Sequence, residues 1–250
     1  LMSEELSRLG INLNLAPVLD VNNNPKNPVI GVRSYSDKPE IVAKMGTNFI
    51  LGMQKEGLLA TAKHFPGHGD VVVDSHLGLP IINHPVERIH NVELIPFKQA
   101  IASGVGAIMS AHIYFSSYEK NNLPATLSKR IMTGLLREEL SFQGLIISDC
   151  MEMKAIDDNY GASKGAVEGI IAGLDLVCIS HTLQKQLEFL SLMEEAVLSG
   201  RISEEEIDIK VKRILQAKEK TSLIINKNFL ENEDNVKYFP NEENQKLAMQ

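Results

Sequence analysis

The chain has 250 residues, of which 25 are Lys or Arg and 32 are Asp or Glu, giving a net charge of −7, and 44% are hydrophobic. That length and apolar content support one large domain with a full core. No basic block offsets the negative charge, which argues against a nucleic-acid partner, and no apolar run reaches the roughly 18 residues of a membrane span.

In chain order, residues 4–9 read as a helix already under way at Leu1, so the chain is expected to lack its natural start. An apolar run at 11–18 reads as a strand and is followed by Asp20. Residues 37–54 carry Pro39 near their start and Ile41, Met45, Phe49, Ile50 and Met53 at helical spacing. Strands are expected at 58–62, 107–111, 145–148 and 174–179, and helices at 93–103, 128–139, 162–172, 184–198 and 203–218. In the last of these Ser203 caps and Glu206 occupies the third helical position. From Thr221 the composition turns polar, and 232–245 reads as a linker. The expected division is therefore a catalytic-type domain over 1–220 and a linker with the possible start of a second domain over 221–250. Cys150 and Cys178 both lie in or beside apolar runs and read as two thiols rather than a disulfide.

Short buried strands alternating with helices imply an α/β fold with a parallel sheet. Polar residues follow several strands: Asp20, then Lys63 and His64, then His112, then Asp149. In a (β/α)8 barrel such ends converge on one face. In a doubly wound sheet they would line a crevice instead, and no glycine-rich dinucleotide loop follows any strand, so the barrel is favoured. Five strands leave the barrel incomplete, and its first strands are expected to be missing at the N-terminus.

The densest chemistry is KHFPGHGD at 63–70, closed by Asp74, Ser75 and His76. Its glycines and proline rule out a helix, so a metal pair on one helix face is excluded for His64 and His68. A loop site for zinc through His64, His68, Asp70 and His76 is the lesser reading, because the Lys63 ammonium opposes a cation. Lys63 and His64 suit hydroxyl or carbonyl oxygens better. Asp74 and His76 share a side in extended chain, so the carboxylate can orient the imidazole as an acid/base; the alternative is a polar loop. Asp149, in ISDCMEM at 147–153, is placed as a nucleophile or electrostatic stabiliser, or else as a helix cap. Arg33 offers a fork for an oxyanion or vicinal hydroxyls, or a salt bridge to Asp20 or Asp37. His112 either lines the pocket or satisfies a buried neighbour. His84, His90 and His181 have no supporting context.

Taken together, LAPVLDV at 15–21, IGVRSY at 30–35, KHFPGHG at 63–69, the Asp74-Ser75-His76 triplet, AIMSAH at 107–112 and ISDCMEM at 147–153 resemble glycoside hydrolase family 3, in its β-N-acetylhexosaminidase branch of the NagZ type. The resemblance covers about 200 residues in the family's order. It implies a TIM-like barrel and a retaining, exo-acting β-N-acetylglucosaminidase. In that reading Asp149 is the nucleophile, His76 the acid/base, Asp74 its partner, and Arg33, Lys63 and His64 contact the sugar. It implies amino-sugar glycosides or muropeptides as partners, and no cofactor or metal. A β-glucosidase or amino-sugar phosphorylase of the same family is the alternative, with a non-catalytic sugar-binding barrel as the rival of a different class. Two departures stand out: the family's first two strands are absent, and Cys150 stands where an aspartate is common.

Overall fold

The computed structural model describes residues 1–74, 78–221 and 242–249. Five strands, β1 (Leu13–Asn14), β2 (Leu59–Phe65), β4 (Ala107–Ser110), β6 (Leu145–Cys150) and β7 (Leu176–Cys178), pair in the order β1-β2-β4-β6-β7, every pair parallel. All five fall within or overlap the expected runs. Two short strands, β3 (Ile81–Ile82) and β5 (Tyr114–Phe115), form a separate parallel pair that the sequence did not announce. The main sheet curls into part of a (β/α)8 barrel.

Strand alternation gives this sheet two different faces. Ala60, Ala62, Ile108 and Ile146 point outward into the main core, where they meet Val42, Ile50, Leu94, Phe97, Ile131 and Leu135 of the covering helices. These helices are α2 (Pro39–Lys55), α4 (Leu94–Ala102) and a π-helical segment, Arg130–Glu139. The opposite, concave face carries Leu13, Leu59, Ala107, Leu145, Ile147 and Leu176. Ile214 and Ala217 of α8 (Glu204–Glu219) close part of it.

Other helices are α1 (Met2–Arg8), α3 (Val86–Asn91), α5 (Lys154–Tyr160), α6 (Ala162–Ala172), α7 (Leu183–Leu198) and α9 (Glu242–Ala248). The Ser203/Glu206 capping box forms at the start of α8. Buried Asp175 ties three elements together: it accepts from Ile146 N at 2.8 Å, from Arg213 of α8 at 3.0 Å, and from Arg137 of the π-helix. The expected linker at 232–245 lies mostly outside the described residues. Its last part belongs to α9, where Asn244 reaches Glu5 of α1 at 2.9 Å. Among the described residues no helix is long and apolar enough to cross a membrane.

Candidate functional site

The polar residues gather at the carboxyl ends of the parallel strands, as a barrel requires. Lys63 and His64 lie inside β2, which runs three residues past its expected end at Ala62, and Asp149 lies inside β6. The peptide bonds Ala16–Pro17, Lys63–His64 and Phe65–Pro66 are cis.

Asp20 sits completely buried beneath this end of the sheet and holds it together. Its Oδ1 accepts from the backbone N–H of His64 at 3.1 Å and of His68 at 2.7 Å, and its Oδ2 faces His64 Nδ1 at 2.7 Å. Burial would raise its carboxyl, but the charge and hydrogen bond of His64 outweigh that and hold it below the usual carboxylate value. An ionised carboxylate only accepts, so His64 Nδ1 carries a proton and donates it to Asp20. The other nitrogen, Nε2, is thereby turned outward to within 3.8 Å of Asp149 Oδ2.

Asp149 is not a helix cap: α5 begins at Lys154, with Met153 at its cap position. Its Oδ1 accepts the N–H of Cys150 at 2.7 Å, and its side chain keeps 28% of its exposure. Burial pushes its carboxyl up. His64, His112, the Cys150 amide and Lys63 together push it further down, so the group is held as an anion. Lys63 is half-buried, and burial together with the neighbouring Arg33 charge lowers its ammonium, while Asp149 and Asp20 oppose that shift. The Lys63 ammonium makes no hydrogen bond among the described residues.

Arg33 is exposed in a short 3-10 turn, Gly31–Arg33, and donates to Val29 O at 3.4 Å. Neither expected salt bridge forms, because Asp20 is sealed against His64 and Asp37 accepts from Ser36 Oγ at 3.2 Å. His112 is buried and takes the structural role weighed for it: Nε2 donates to Cys150 O at 3.0 Å, and Nδ1 meets Thr126 Oγ1 at 2.7 Å. It therefore supports the backbone that carries Asp149. Asp74 is described and half-exposed, its carbonyl accepting from Gly78 N at 3.1 Å. His76 lies outside the described residues.

Several contributors were not legible in the sequence. Asn27 donates through Nδ2 to His68 O at 2.7 Å and to Gly69 O at 2.9 Å, while its Oδ1 accepts from Val29 N and Ile30 N at 2.9 Å each. Gly69 passes so close to β1's continuation that a Cβ there would fall 1.7 Å from Val21 O. His84 pairs with Asp70, and buried Glu93 is held by Arg88 at 3.0 Å and Asn23 at 3.2 Å. His84 lies 14 positions from Asp70 and Asn23 lies 70 from Glu93, so no local pattern marks those pairs. His64, His68 and Asp70 do not converge as ligands; among the described residues only Cys150, Glu152 and His181 form a cluster of that kind.

This geometry has close parallels. The glycosyl hydrolase family 3 N terminal domain matches residues 1–217. The chain is 36% identical over 236 residues to beta-hexosaminidase A of Pseudoalteromonas piscicida, covering 88% of this chain and 40% of that protein. It is 37% identical over 191 residues to the beta-hexosaminidase of Actinobacillus pleuropneumoniae, covering 76% and 54%. The solved glycoside hydrolase family 3 beta-N-acetylglucosaminidase from Paenibacillus sp. superposes with a TM-score of 0.88 at 50% identity, over 89% of this chain and 42% of that one. The chain thus spans about half the length, or less, of these three relatives.

Proposed function

Because the chain belongs to glycosyl hydrolase family 3, we propose that the protein it represents is a retaining, exo-acting β-N-acetylglucosaminidase, with Asp149 as its nucleophile. One observation carries the reading: an anionic carboxylate fixed at the end of β6, facing His64 at 3.8 Å and within reach of the Lys63 charge.

Asp149 attacks the anomeric carbon as the bond to the leaving oxygen breaks, and His76, oriented by Asp74, gives that oxygen its proton. His76 then takes a proton from water as the water displaces Asp149, so two inversions give net retention. A nucleophile must be anionic at the working pH, and the depressed Asp149 carboxyl supplies that. Arg33, Lys63 and His64 Nε2 grip the sugar hydroxyls, the last fixed in direction by Asp20. Terminal N-acetylglucosamine of muropeptides is the natural substrate class in this reading.

Comparing rates on aryl N-acetyl-β-glucosaminides and aryl β-glucosides tests the substrate, with clear preference for the former expected; preference for the glucoside overturns it. For the acid/base, His76→Ala should lose far more rate on poor leaving groups than on activated ones. Equal losses would contradict proton donation by His76. Lys63 is expected to set part of the acidic limb. Its positive charge lowers the Asp149 carboxyl, so Lys63→Met should move the acidic limb of kcat/KM to higher pH, toward the ordinary carboxylate value of 3.8. A limb that stays in place would mean the ammonium does not act on Asp149.

A further inference from the structure

We infer that Cys150, Glu152 and His181 form a three-ligand site for a soft divalent cation of the zinc class, built on the loops that leave β6 and β7. The donors are a thiol, a carboxylate and an imidazole, the mixture that suits zinc and cadmium rather than magnesium or calcium. Their ligand atoms all lie within 4.8 Å of one another. A tetrahedral ion with bonds of about 2.0–2.3 Å needs its donors roughly 3.3–3.7 Å apart, so side-chain rotation of about 1 Å closes the set.

The surroundings are arranged for such a role. Glu152 Oε2 accepts from His181 N at 2.6 Å and from Thr182 N at 3.3 Å, so one ligand fastens the backbone of another. The competing cation, Lys185, stands 3.8 Å from Glu152 Oε1 but is drawn to Asp157 at 2.5 Å. The His181 imidazole has no hydrogen-bond partner among the described residues and is exposed. Cys150 is half-exposed, and Cys178 is its register partner across the β6–β7 pair. Three protein donors leave a fourth position open to water or to an oxygen of a bound ligand.

The site adjoins the sugar pocket, because Cys150 follows Asp149 directly and gives it its amide hydrogen bond at 2.7 Å. It also explains why ISDCMEM pairs Cys150 with Glu152, a spacing that the hydrolase reading leaves unused.

Direct binding measurements test it without any turnover, so their result stands apart from the hydrolase assignment. Titration of the reduced protein with Cd2+ is expected to raise a sulfur-to-cadmium charge-transfer band that saturates at one equivalent. Zn2+ affinity is read by competition with a chromogenic chelator. Cys150→Ser should abolish the cadmium band and weaken Zn2+ at least about tenfold, and His181→Ala should weaken Zn2+ by about tenfold while keeping the band. Cys178→Ser should leave the band in place. A band that survives Cys150→Ser, its loss in Cys178→Ser, or Zn2+ affinity unchanged in both Cys150→Ser and His181→Ala overturns the site.

Discussion

Asp149→Ala is expected to lower kcat on an aryl N-acetyl-β-glucosaminide by about 10⁴-fold or more, with little change in thermal stability. The side chain is part-exposed and, among the described residues, its one hydrogen bond is to the part-buried Cys150 amide, so its removal strands no fully buried donor. In the proposed mechanism the loss falls on the step that forms the covalent bond, and a small external anion takes the vacated place. Azide should therefore restore part of the rate on an activated substrate and yield a glycosyl azide of inverted configuration. Mass spectrometry of the native protein after a fluorinated sugar inactivator should locate the label on Asp149. A label elsewhere, or a variant retaining more than a few per cent of kcat, would remove Asp149 from the nucleophile's role.

Asp20→Ala should produce the largest loss of stability among single changes at this end of the sheet. It strands three buried donors at once: His64 N–H, His64 Nδ1–H and His68 N–H. Breaking a buried, hydrogen-bonded charge pair costs about 3–5 kcal/mol, which for a domain of this size lowers Tm by roughly 10 °C. Calorimetry reads this directly, and a drop of only a degree or two would refute the anchoring role. The sign of the pH dependence follows from the depressed carboxyl. Stability contributed by Asp20 is complete above the unfolded value near 3.8 and is lost as pH falls through the lower folded value. Asp20→Ala should accordingly flatten the native protein's loss of stability in that acid window.

These two residues also mark where sequence reading succeeds and where it stops. The placement of Asp149 at the end of β6 was legible because Ser148 and Asp149 close the apolar run 145–147, where a parallel strand ends on the barrel's working face. Asp20 was visible as a polar residue after a strand, but its role was not, because its partners lie 44 and 48 positions away. The same long-range pairing explains the misplaced end of β2. A run stopped at Ala62 on the ground that Lys63 and His64 are polar, yet Asp20 compensates the burial of His64 and the strand continues to Phe65. α3 and α5 were missed because six or seven residues are too few for a helical period to emerge.

The four hydrogen bonds of Asn27 have one more consequence. Through them the segment that presents Arg33 and the turn that follows His64 share a single side chain, and Gly69 seals the pair against Val21 O. The two segments behave as one inheritable part rather than two. A graft that imports residues 22–36 from a relative must bring 64–70 with it, or Asn27 would meet a turn built for another clasp.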